Sequence, residues 1–206
     1  MRGVSECSFD DAAVLGRMIF TDPRAWRWDE GGHLELVGAS DYQPPVRSPR
    51  SIALLPDRYG DFVLTARLKQ TGREYGHRDL CLFFGFQSDS EFYYVHLASQ
   101  PDPNAHNVFV VDGAPRRPLA PVPEAGVQWG DDWHEVRLEH RASEGRITVD
   151  FDGERILEAT DDTFRGGRVG FGSFDDQGLF DDIRIEGECW PENTEPGMFR
   201  GPTSAE

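Results

Sequence analysis

Apolar residues recur at every second position through much of this chain, the spacing of strands whose one face is buried. In DFVLTARLKQ (61–70), Phe62, Leu64, Ala66 and Leu68 are expected to face inward, with Val63, Thr65, Arg67 and Lys69 outward. In WHEVRLEH (133–140), His134, Val136 and Leu138 alternate with Trp133, Glu135, Arg137 and Glu139. RITVDFDGERILEA (146–159) predicts a hairpin: Ile147, Val149 and Phe151 point in, and Asp152-Gly153 makes the turn. SIALL (51–55), residues 33–37 and two stretches of GGRVGFGSFDDQGLFDDIRIEG (166–187) add further strands. Residues 8–18, SFDDAAVLGRM, predict one short helix capped by Ser8 or Asp10, or else an edge strand opened by Phe9.

The densest apolar stretch is 79–111, where runs at 80–86, 92–98 and 108–111 are separated by the turn compositions SDSE and SQPDPNAH. In the middle run, alternation places Tyr93, Val95 and Leu97 on a core face and Phe92, Tyr94 and His96 on the other. Two aromatics and an imidazole make an odd solvent face, which marks the second set as a candidate binding surface. The whole pattern, about a dozen short strands with little helix, predicts an all-β fold: a two-sheet antiparallel β-sandwich of jelly-roll type. A single domain over 1–189 is expected, followed by a loosely attached tail, 190–206, that has lost alternation.

Composition sharpens this reading. With Gly 22 and Pro 14 in 206 residues, turns are favoured over long helices. A net charge of −16 argues against nucleic acid and anionic membrane surfaces as partners, and suits neutral or cationic partners or bound cations. No apolar run reaches 18 residues, and the N-terminus MRGVSECSFDD lacks a signal-peptide pattern. Cytoplasmic residence is therefore expected as written, or a secreted or periplasmic one if the chain has been trimmed. Of the three cysteines, Cys81 falls inside an apolar strand and reads as a core residue. Cys7 and Cys189 are the pair considered for a bridge between the termini.

Polar chemistry gathers in loops. DYQPPVRSPR (41–50) is stiffened by Pro-Pro and carries Arg47 and Arg50, which are either solvated or presented to an anionic or hydroxyl-rich ligand. TGREYGHRD (71–79) carries Tyr75, His77, Arg78 and Asp79 and is either a polar hairpin tip or a binding loop. Arg116 and Arg117 repeat the paired-base theme in the irregular stretch 114–132. Trp26 and Trp28 suit core packing or a sugar-stacking platform. His96 is either a partly buried, hydrogen-bonded histidine or, with Tyr94, a proton-transfer pair. Candidate carboxylates are Asp79, Glu91, Asp175 and Asp176, and no diagnostic spacing pairs them. Ser173 lacks the G-x-S-x-G frame of a nucleophile elbow, and no CxxC or HExxH spacing points to zinc. Asp181 in FDDIRIE is expected on the inward face of Ile183 and Ile185, where a carboxylate needs a cation or several donors.

The sequence resembles the concanavalin A-like lectin/glucanase superfamily, and within it the bacterial laminin-G-like and 3-keto-disaccharide-hydrolase-like domains. The likeness is carried by DFVLTARLKQ, LCLFFGF, FYYVHLAS, WHEVRLEHRASEGRITVDFDGERI and GGRVGFGSFDDQGLFDDIRI. It implies a curved sheet whose concave face binds a saccharide, with Tyr94 and His96 lining it. Under it, His96, Tyr94, His77 and Asp79 are the expected catalytic groups of a hydrolase or lyase. Arg47, Arg50, Tyr75, Arg78, His106 and Asn107 are the expected substrate contacts. The alternative is a non-catalytic carbohydrate-binding or laminin-G-like interaction module. The resemblance also implies structural calcium at Asp181, held with backbone carbonyls. One departure matters: no Glu is followed two positions later by Asp, so the E-x-D-x-x-E strand of family 16 glucanases is absent.

Overall fold

The computed structural model describes residues 2–7 and 12–190, with side chains from residue 15 onward. Among the described residues, fourteen strands follow one another: β1 (Arg2–Cys7), β2 (Ile19–Phe20), β3 (Trp26–Trp28), β4 (Leu34–Leu36), β5 (Ser51–Gln70), β6 (Asp79–Ser88), β7 (Glu91–Ala98), β8 (Asn107–Asp112), β9 (Arg117–Pro118), β10 (His134–Arg141), β11 (Arg146–Phe151), β12 (Glu154–Thr160), β13 (Gly167–Ser173) and β14 (Gly178–Trp190). Every ladder between them is antiparallel.

The strands form two layers that share β5. The first half of β5 pairs with β2 and β13, and that layer continues through β6, β7 and β8 to β9. Its second half pairs with β10 and β14; β11 and β12 extend the layer beyond β10, while β4 and β1 border β14. The sequence predicts two strands, 51–55 and 61–70, where one 20-residue strand runs. The intervening PDRYG does not turn, because Tyr59 and Arg58 pair with Gly167 and Arg168.

Phe62, Leu64, Ala66 and Leu68 from β5 meet Leu82, Phe84, Tyr93 and Val95 from the first layer and Val136, Leu138, Ile147 and Val149 from the second, all buried. The alternation in 61–70, 92–98, 133–140 and 146–151 therefore reads correctly for the inward faces. Asp152 (φ 50°) and Gly153 (φ 83°) make the expected tight turn, the left-handed pair a type I′ hairpin needs. Gly172 lets β13 lie against β5, since a Cβ there would meet the Ser51 carbonyl oxygen at 1.8 Å.

Three expectations change. Of the predicted helix 8–18, Ala12–Arg17 form a 3-10 helix, and 8–11 lie outside the described residues. Trp190 still belongs to β14, whereas 191–206 of the predicted tail lie outside the described residues. The Cys7–Cys189 bridge does not fit the register. Cys7 stands opposite Ile183, and the six residues from there to Cys189 span roughly 20 Å at strand rise, far beyond disulfide reach.

Candidate functional site

Tyr93, Val95 and Leu97 of β7 enter the core between the layers, so Phe92, Tyr94 and His96 must face the other way. That outer face is not open. Phe92 and Tyr94 join Ile52, Leu54, Cys81, Phe83, Phe86, Phe109 and Val111 in a second buried cluster, capped by Ile19, Val46 and Phe174. Tyr94 stacks on Phe109 (centroids 5.1 Å apart, 14° between planes), and Phe92 stacks on Phe86 (4.8 Å, 15°). The expectation that Tyr94 lines a binding face is corrected here. Its phenol is sealed, its Oη has no hydrogen-bond partner among the described residues, and burial pushes its pKa well up.

His96 lies one step further along β7, at the edge of that cluster, and it does reach a pocket. Cross-strand register sets it opposite Cys81, and Asp79 is two residues before Cys81 on the same face of β6. His96 Nε2 is 3.4 Å from Asp79 Oδ2, and its Nδ1 is 3.3 Å from the carbonyl of Asn104. Asp79 Oδ1 accepts from the Ser173 hydroxyl at 3.1 Å, and Oδ2 accepts from the Cys81 thiol at 3.3 Å. Burial alone would raise the Asp79 pKa, but the charge and hydrogen bond of His96 and the Cys81 thiol hold it below the ordinary carboxylate value. Asp176 behaves oppositely. Burial and the neighbouring Asp79 charge push it up to about 6, although the Tyr75 hydroxyl donates to its Oδ2 at 2.7 Å and the Asp79 amide at 3.0 Å.

The pocket above Asp79 and His96 encloses about 330 Å³. Its wall comes from four loops: Arg47 and Arg50; Tyr75 and His77; Asp102, Asn104 and Ala105; and Arg116, with Phe174 and Asp175 following β13. The loop 99–106 folds back through an Asp102–Ala105 bridge, and His77 Nε2 lies 3.7 Å from Asp102 Oδ2. A second hollow of about 460 Å³ continues the groove along 43–48 and shares Arg47, Arg50, Arg116 and Phe174.

Of the predicted site residues, His96, Asp79, His77, Arg47, Arg50 and Tyr75 converge on this pocket. Arg78, His106 and Asn107 do not, although each is adjacent in sequence. Arg78 is buried, with Nε and Nη2 on the side-chain and backbone oxygens of Gln70 (3.0 Å each) and Nη1 on Glu74. His106 is fully buried and accepts the Ala98 amide proton at Nδ1 (3.4 Å); burial and the nearby His96 lower its pKa to about 4. Asn107 pins the 119–121 stretch, donating to the Ala120 carbonyl at 2.9 Å and accepting the Ala120 amide at 3.2 Å. Trp26 packs in the core at 5.8 Å from both Phe20 and Phe180, so core packing is the reading that holds for it. Arg116, Asp102, Asn104 and Phe174 were not singled out as site residues from sequence. The Arg116-Arg117 pair was the visible trace of the first.

Calcium at Asp181 does not fit its surroundings. Asp182 (φ 49°) sits in a bulge that shifts the register between Asp181 and Arg184, so Phe180, Ile183 and Ile185 are buried while Asp181 leaves their face. Its carboxylate lies 3.9 Å from His33 Nε2. Among the described residues, sets of three potential ligand groups occur at Asp79 instead: Asp79 with Cys81 and His96, and Asp79 with Asp175 and Asp176. Thiol and imidazole suit a softer ion than calcium. The oxygens of Asp79 and the Oδ2 of Asp176 already have protein donors, so the fold needs no cation to hold them.

No family model matches the sequence, and no curated protein does. Solved structures do match. The carbohydrate-binding module CBM66 from Bacillus subtilis superposes with a TM-score of 0.63 at 16% identity, covering 82% of this chain and 95% of that one. Lectin I-B4 from Griffonia simplicifolia gives 0.55 at 16%, covering 88% and 98%. A xylan beta-1,4-xylosidase from Bacillus halodurans gives 0.61 at 16%, with 88% of this chain on 38% of that one. Among the described residues, no helix is long and apolar enough to cross a membrane. The antiparallel topology and these superpositions agree: the chain has the concanavalin A-like β-sandwich fold.

Proposed function

We propose that this protein binds a saccharide in the groove above Asp79 and His96. The observation that carries the reading is the make-up of the groove wall. Arg47, Arg50 and Arg116 line it together with the Phe174 ring, Tyr75 and His77, and Arg116 lies over that ring. Guanidinium donors match the hydroxyl acceptors that a sugar ring offers at its edge. CBM66 is a carbohydrate-binding module and the Griffonia protein a lectin, and both superpose on this fold. Binding is favoured over turnover because the strongest acid–base groups are committed to one another: His96 to Asp79 and Asn104, and Asp176 to Tyr75 and the Asp79 amide.

One observation favours cleavage as a second reading. Asp79 and Asp176 are neighbouring carboxylates whose pKa values are driven apart, an arrangement that can divide acid and base roles. In that reading Asp79 and His96 move protons at the pocket floor with His77 at its rim, and Tyr94 takes no part. Titrating a panel of neutral and acidic oligosaccharides, then analysing each mixture after long incubation, separates the two. Saturable binding with unchanged oligosaccharide is expected. Product that disappears in Asp79→Asn establishes cleavage, and no binding by any saccharide refutes both readings.

A further inference from the structure

Taking the groove as a saccharide site, we infer that its ligand is an acidic glycan, held by a carboxylate or sulfate group against Arg116, Arg47 and Arg50. The chain carries −16 overall, so its long-range field repels anions, and three guanidiniums meeting in one groove stand against that background. Arg116 is the centre of the set. Its guanidinium stacks 4.5 Å from the Phe174 centroid and leans on Phe109 at 5.6 Å. Nη2 donates to the Asn104 carbonyl at 3.1 Å. Nε and Nη1 are buried and have no partner among the described residues. Guanidinium nitrogens only donate, so these two await an acceptor, and an anion is the strongest one available.

The other two arginines are similarly unspent. Arg47 is exposed and makes no hydrogen bond or ion pair to a described residue, and Arg50 reaches only Asp175, at 3.8 Å. Both stand on the Pro-Pro loop, whose stiffness lowers the entropy lost on binding. The three arginines line both hollows; carboxylates Asp79, Asp102 and Asp175 join them in the 330 Å³ pocket, whereas the adjoining hollow along 43–48 carries no carboxylate. A glycan lying along the groove would set hydroxyls toward the acidic end and its anionic group toward the loop 43–48.

The test compares three oligosaccharides of equal length by calorimetry on the whole chain: an oligogalacturonate, a sulfated galactan fragment and a neutral galactan fragment. At least one acidic ligand is expected to bind about tenfold or more tightly than the neutral one. Arg116→Gln and Arg47→Gln should each weaken that acidic ligand about tenfold and remove most of its advantage over the neutral one. Arg47 is exposed, so its variant keeps the test valid should Arg116→Gln fold poorly. The better of the two acidic ligands identifies the anion. Neutral binding as tight as acidic, lost on changing His77 or Tyr75, overturns the acidic-ligand inference and leaves the groove intact. Binding of none of the three overturns both.

Discussion

The outer face of the first layer has two halves, and β7 runs from one to the other. At Phe92 and Tyr94 it is dry, with stacked rings roofed by Ile19, Val46 and Phe174. At His96 it turns polar, and the same strand face meets Asp79, Ser173 and the groove. Tyr94 and His96 are two residues apart with ring centroids separated by 6.3 Å, yet only one of them reaches the groove. Alternation along a strand decides which side a residue takes. What covers that side is decided by loops from elsewhere in the chain.

The largest expected effect tests the dry half. Tyr94→Ala should destabilise the fold by about 3–5 kcal/mol, as deletion of a large buried ring does. Tyr94→Phe should stay within about 1 kcal/mol of the parent, because the hydroxyl it removes has no partner. Chemical denaturation measures both. Lost saccharide binding in Tyr94→Phe at unchanged stability would join the halves into one site.

Asp79→Asn tests the polar half. It leaves His96 and the donors Ser173 and Cys81 facing a neutral group, at a cost of about 3 kcal/mol near pH 7. Because the folded pKa of Asp79 lies below its unfolded value, its contribution is present above that value and lost in acid. The variant should therefore show a flatter acid limb in a stability–pH profile.

His140 gives a contrast to His96. It is fully buried, edge-on to Phe62, Phe84 and Tyr93, and neither ring nitrogen has a hydrogen-bond partner among the described residues. Burial lowers its pKa to about 4. An unfolded imidazole protonates near pH 6.5, so stability is full above that pH and falls as the pH drops toward 4. His106 acts in the same direction, and Asp176, raised to about 6, partly offsets them. His140→Phe should gain about 2 kcal/mol over the parent at pH 5, with a smaller gain at pH 7. An unchanged pH profile would mean that the ring is hydrated or paired.

The smallest change in stability belongs to the groove rim. His77→Ala, at an exposed loop position, should shift stability by less than about 0.5 kcal/mol while weakening saccharide binding severalfold.

The sandwich was legible because its inward faces follow strict alternation. The 61–70, 133–140 and 146–151 stretches and the Asp152-Gly153 turn needed no tertiary information. The site was half legible. His96, Asp79, His77, Tyr75, Arg47 and Arg50 could be named because charge and Pro-Gly punctuation mark loops. Arg78, His106 and Asn107 share that composition but turn inward to fasten the loops that hold the others. Arg116 escaped because its importance comes from lying over Phe174, 58 positions away in the chain. Asp181 misled because a single bulge, invisible to a period of two, moved it off the inward face.

On the proposed reading, ligand enters at the polar end of β7 and nowhere else on the sandwich. Amide hydrogen exchange with and without a bound oligosaccharide decides this. Added protection is expected in the loops 41–50, 71–78, 99–106 and 113–117 and around residues 174–176, with β10, β11 and β12 unchanged. Protection centred on β10–β12, with those loops unaffected, would contradict it.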